Sequence, residues 1–264
     1  MEVMYIMAKI IAVISGKGGT GKTTVCVNIA CCLRKYGYKV LVSDCSFGIR
    51  NSFIPLGYTN DGLYDISDVL KKEVSFKDAL IRGDDFKPDF LMSSVTLCPD
   101  EFEEEYEKLI SSVSDNYDYI VIDTPSSSGR EFELCTNISD VVLAVTEEDF
   151  LSVSNTSFCV NRIEKTDKEV YCVINKASFS NIADSISAEE ISDETGCGII
   201  GIIRNDQYIG KSLTDGEPIV RYQTYGGREL ENISKRICGK FVPPDEASIG
   251  ERVFDKNRLI LKNN

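Results

Sequence analysis

Short apolar runs rich in Val and Ile recur along the chain, at 9–15, 39–43, 89–94, 118–123, 141–146, 169–175 and 198–203. They are continuous rather than alternating, the pattern of strands buried on both faces. Between them the apolar spacing shifts to threes and fours. Over 101–113, Phe102, Tyr106, Leu109, Ile110 and Val113 share one helical face with acids opposite. Over 228–241, Leu230, Ile233, Ile237 and Phe241 keep the same step, and 23–36 also reads as helix. Alternating strand and helix predicts right-handed crossovers and an α/β fold. The sheet is expected to be mostly parallel and twisted, with about seven or eight strands and helices on both faces. Ligands then bind at the carboxyl ends of the strands. No internal repeat, low-complexity tract or Pro-rich linker interrupts the alternation. Residues 1–242 therefore read as one domain, with 1–6 an extension, and 243–264, opening on Pro243-Pro244, as a tail.

One segment carries the chemistry. Gly16 to Thr23 fits the phosphate-loop pattern GxxxxGK[ST], after the apolar run Ile10 to Ile14 and before a helix. Gly18, Gly19 and Gly21 let the backbone curl, so that the loop, with Gly16, Thr20 and Thr24, can turn its N–H groups and the helix N-terminus toward phosphate. Lys22 would meet the β- and γ-phosphates, and the Thr23 hydroxyl would bind Mg²⁺. Lys17 is an extra lysine that the general pattern does not require.

The whole string SGKGGTGKTT, residues 15–24, resembles the deviant Walker A loop of the MinD/ParA family of ATPases. That resemblance runs over roughly 7–242 and includes GIRN at 48–51, LYDISDVL at 63–70, IDTP at 122–125 and DGEPIV at 215–220. It implies ATP and Mg²⁺ as ligands and a homodimer that closes on ATP. Lys17 would reach the partner's nucleotide, much as an arginine finger acts in trans.

Several further positions follow from the resemblance. Asp123 ends the apolar run Tyr119 to Ile122 as a Walker B acid does, and would hold Mg²⁺ through water. Asp44 matches the first acid of the switch segment and would support the same ion. Ser46 stands where the family carries a second acid, the group that orients or deprotonates the attacking water. A hydroxyl hydrogen-bonds water but is a poor base near neutral pH, so slow or partner-dependent hydrolysis is expected. Asn175 resembles the family asparagine at the adenine edge. Arg204 replaces a proline in a second base-contacting loop.

Composition narrows the partners. The net charge is −13, which argues against broad non-specific DNA binding and against general attraction to anionic membranes. No apolar run approaches the length of a membrane-spanning helix, and no secretory signal is visible, so a cytoplasmic protein is expected. The end, IGERVFDKNRLILKNN, forms a weak amphipathic pattern, and the resemblance implies a peripheral membrane contact through it. Ten cysteines occur without a C-x-x-C pair and without any histidine, which fails the usual zinc patterns and leaves them as small apolar side chains. An ATP-switched positioning protein with a protein activator or effector is the leading expectation. A non-hydrolysing ATP-bound scaffold and a metal or iron–sulfur carrier are the alternatives.

Overall fold

The structure is a computed structural model. It describes residues 7–48, 54–58, 64–95, 102–126, 129–164, 168–178 and 186–243. Arg50, Asn51, Leu63, Cys98 and the tail beyond Pro243 lie outside the described residues.

The chain runs β1 (Lys9–Ile14), α1 (Lys22–Lys35), β2 (Val40–Asp44), α2 (Ile66–Leu70), α3 (Phe76–Ala79), β3 (Leu80–Ile81), β4 (Asp89–Leu91) and α4 (Phe102–Ser114). It continues through β5 (Tyr119–Asp123), α5 (Arg130–Asn137), β6 (Val141–Thr146), α6 (Phe150–Asn161) and β7 (Glu169–Ala177). The last elements are α7 (Ala188–Thr195), β8 (Gly198–Arg204), α8 (Tyr208–Asp215) and α9 (Tyr225–Ile237). The strands form one sheet in the order β3-β4-β2-β5-β1-β6-β7-β8. All seven strand regions expected from the sequence are present in it. The eighth, β3, is a two-residue edge strand antiparallel to β4, too short to leave a periodic signal.

Residues of β1 alternate between two cores. Ile11 and Val13 face α1 and α9, while Ala12 and Ile14 pack with Phe132 of α5 and Val153 and Val160 of α6. A third cluster seats Phe102, Tyr106, Ile110 and Val113 of α4 on Leu41, Ile120 and Ile122. Both faces are thus covered, which is why the strands read as continuous apolar runs. One expectation fails at α9. The helix ends at Ile237, and Phe241, which keeps its period, is 79% exposed. Gly239, with φ +76°, follows the helix end, and Arg236 donates to the Val242 and Pro243 carbonyls, turning the chain off the helical path.

Strand order decides where the site lies. From β1 the chain moves outward to β2 on one side, and from β5 it crosses back to β6 on the other. The reversal leaves a crevice beyond the carboxyl end of β1, where the glycine-rich loop begins.

Candidate functional site

The loop between β1 and α1 is shaped by two kinds of glycine. Gly18 and Gly19 border open space, and a Cβ added to either would meet nothing within 4 Å. Gly16 and Gly21 lean on protein instead. A Cβ on Gly16 would lie 2.2 Å from the Asn155 backbone carbon in α6, and one on Gly21 would lie 2.2 Å from Asn175 Nδ2. Gly19 and Gly21 also take φ values of +85° and +88°, the left-handed region that glycine enters without cost. Helix α1 opens at Lys22 with no side-chain cap and no acid in its first turn. Its first N–H groups are left for an anion, and the helix dipole favours one there.

Beside the loop, β2 and β5 end in register. Asp44 pairs with Asp123 across the strands, and both side chains are fully buried. Lys22 Nζ lies 2.5 Å from Asp123 Oδ1, and Thr23 Oγ1 donates to Asp123 Oδ2 at 2.7 Å. Asp44 Oδ1 accepts from the Ser46 amide at 2.8 Å. Two buried carboxylates side by side require positive charge, and Lys22, only 6% exposed, supplies it here. Two carboxylates and a hydroxyl are a hard-oxygen donor set suited to Mg²⁺. The open mouth at Gly18 and Gly19 and the bare start of α1 suit phosphate. The residues present therefore fit both groups.

The remaining predicted positions fall around this centre. Ser46 is half-buried and donates its hydroxyl to the Thr124 carbonyl at 3.2 Å, so only its lone pairs remain for water. Lys17 stands apart from the buried cluster, 3.7 Å from Asp149 Oδ2, with both side chains more than a third exposed. Asp149 also caps α6, accepting from the Ser152 amide. Thr20 is buried, and its carbonyl accepts from Asn175 Nδ2 at 2.6 Å. Thr24 accepts through its carbonyl from Asn28. Asn175 therefore braces the loop from the end of β7. Arg204, ending β8, lays its guanidinium 5.1 Å from the centre of the Tyr225 ring, in a cleft of about 670 Å³.

Lys176 escaped the sequence reading. It has φ +55°, rare for a residue with a Cβ, and its Nζ donates to the Gly19 carbonyl and to Glu147 Oε1. Nothing in the local sequence marks it, because its reach depends on a left-handed turn at the end of β7. The cysteines are packing groups where described. Cys26, Cys31, Cys32, Cys45, Cys135, Cys159, Cys172 and Cys197 are buried, and burial pushes the Cys26 thiol well up, with Asp123 adding to the effect.

A family model described as an AAA domain (AAA_31) matches residues 8–177. The septum site-determining protein MinD of Helicobacter pylori is 31% identical over 248 residues, covering 89% of this chain and 92% of the relative. The chain belongs to the MinD/ParA family of P-loop ATPases. Its MinD/ParA fold also superimposes on the MinC:MinD cell division protein complex of Aquifex aeolicus. That match has a TM-score of 0.80 and 30% identity and covers 89% of this chain and 98% of that one. MinD of Pyrococcus horikoshii, solved with Mg-ADP, shares the MinD/ParA fold at a TM-score of 0.76 and 24% identity, over 88% and 96% of the two chains.

Proposed function

We propose that this chain is an ATP-switched dimer that positions other machinery, with cell-division site selection as the closest parallel among its relatives. Lys17 carries the reading. It is the lysine of the loop outside the buried Lys22–Asp123 pair, and among the described residues its ion pair is with the half-exposed Asp149. Exposed pairs of that kind contribute about 0–1 kcal/mol, so Lys17 is readily released toward triphosphate on a second copy. Phe150 and Leu151, 78% and 58% exposed, adjoin Asp149 and supply apolar surface on the same rim.

Within one protomer, Lys22 exchanges Asp123 for phosphate oxygens while the α1 amides hold the β-phosphate. Thr23, Asp44 and Asp123 would hold Mg²⁺, which would supply positive charge to offset the phosphates. Asn175, with Nδ2 committed to Thr20, offers Oδ1 as an acceptor, a match for the adenine amino group. Ser46 supports slow turnover: its hydroxyl can orient water through its lone pairs but has no basicity to take a proton. A non-hydrolysing scaffold is the second reading, and the Ser46 to Thr124 bond favours it. Residues 1–242 would form the switch, and 243–264 a peripheral membrane contact.

Light scattering after size exclusion tests the switch. The wild-type chain should run as a dimer with ATP and a monomer with ADP or no nucleotide. Lys17→Ala should still bind ATP yet remain monomeric. A Lys17→Ala chain that dimerises as readily as wild type would remove the central claim.

A further inference from the structure

At the opposite end of the strands from the glycine-rich loop, a cleft of about 400 Å³ opens against the start of β2 and the start of β4. Four cations line it from four separate segments: Arg34 near the end of α1, Lys39 before β2, Lys77 in α3 and Arg82 after β3. Their convergence stands out in a chain of net charge −13. One carboxylate, Asp89, faces them. Its oxygens are already taken by Arg82 at 2.9 Å, the Tyr117 hydroxyl at 2.8 Å and the Gly83 amide at 2.8 Å.

Arg34 is anchored without being neutralised. Its Nη1 donates to the Tyr38 carbonyl at 2.8 Å, and its Nη2 and Nε donate to the Asp84 carbonyl at 2.6 and 3.2 Å. Carbonyls fix the guanidinium in place while leaving its formal charge uncompensated. The Asp84 carboxylate is turned away onto the Phe86 and Lys87 amides. Among the described residues, neither Lys39 nor Lys77 has a carboxylate within ion-pair distance of its Nζ. Phe76 and Tyr117 add ring surface to the walls. A preorganised cation, two uncommitted ammonium groups and aromatic walls in a cleft of small-ligand size form a receptor for phosphate.

We propose that this cleft is a second ligand site, which binds a compact phosphorylated small molecule independently of the glycine-rich loop. The acidic body of the protein selects against extended polyanions, which would be repelled beyond the cleft. The site is distinct from the nucleotide crevice, because Val40 at its wall begins the strand that Asp44 ends. Four residue steps at about 3.3 Å each separate the two along β2. A ligand here would bear on the strand that carries Asp44.

The chain contains no tryptophan, so Phe76→Trp places a single indole in the cleft. Titration of the full-length Phe76→Trp protein with inorganic pyrophosphate should change its emission saturably. Adding Lys39→Ala and Arg82→Ala should weaken that binding at least ten-fold. In the otherwise wild-type chain, the Val40 and Lys77 amide resonances should shift with pyrophosphate and cease to shift in Lys39→Ala/Arg82→Ala. Absence of a saturable response by both readouts, or an equal response in the doubly substituted chain, overturns the proposal. A parallel flotation with vesicles of anionic phospholipid separates free phosphate from a lipid headgroup. Cleft-dependent flotation without pyrophosphate binding also overturns it.

Discussion

Gly16 shows how much can rest on one missing atom. The phosphate-loop pattern asks for glycine there, and backbone curl is the usual reason. In this protein the crowding comes from α6, whose Asn155 backbone would lie 2.2 Å from a Cβ. Backbone cannot swing aside as a flexible side chain can, so Gly16→Ala should lower stability by about 1–3 kcal/mol. Urea unfolding would read this, and an unchanged midpoint would mean that α6 slides freely. Ser46 belongs to the same scale. Replacing a poor base with a carboxylate beside Asp44 should speed single-turnover hydrolysis of bound ATP, and positioned acid–base groups are typically worth about 10²–10⁴ in rate. Ser46→Asp that releases phosphate no faster than wild type would favour the scaffold reading. Both residues were visible in the sequence, but their surroundings were not. Asn155 and Thr124 are remote in the chain, and only folding brings them alongside.

Among the elements, α9 depends on specific contacts. It lies directly on β8 at Gly201, where a Cβ would meet Ile233 Cγ1 at 2.4 Å. Arg236 and Glu229, at 5% and 3% exposure, form an ion pair at 2.7 Å beneath it. Arg236 Nη1 also donates to the Ile200 carbonyl at 2.7 Å, tying helix to strand. Removing one member of a buried pair strands the other charge, so Arg236→Ala should destabilise the chain by about 3–5 kcal/mol. Thermal and denaturant unfolding check this, and a loss below about 1 kcal/mol would mean Glu229 is resolvated. The helix itself was legible, since Leu230, Ile233 and Ile237 keep a helical step. Its end was not, because Phe241 continues the period while Arg236 holds the Val242 and Pro243 carbonyls and turns the chain away. α2, α3 and β3 are too short for periodicity to register.

At the scale of the molecule, the acidic body and the two basic centres set which partners can approach. Among the described residues no helix is long and apolar enough to cross a membrane. The proposed membrane contact rests on 249–264, whose weakly amphipathic sequence would bind marginally unless dimerisation doubles it. Vesicle co-sedimentation should be ATP-dependent for the full chain and lost on deleting 249–264. Equal pelleting of both would remove the tail from the function. The arrangement proposed to act as a switch is also global. Lys22 sits on Asp123, and Lys17 on Asp149, so nucleotide must compete with two internal ion pairs of very different depth.

The sequence by itself determined the strand–helix alternation, the phosphate loop and the acids at strand ends, because each is written in contiguous residues with a local physical signal. An apolar run buried on both faces and a glycine-rich turn into a helix look the same wherever they occur. Tertiary structure alone decided which groups meet: Asp44 beside Asp123, Lys176 on Gly19, Asn175 on Thr20, and Arg34, Lys39, Lys77 and Arg82 around one cleft. These contacts join segments far apart in the chain. Strand order and the packing of helices on the sheet set them, and no local periodicity encodes either.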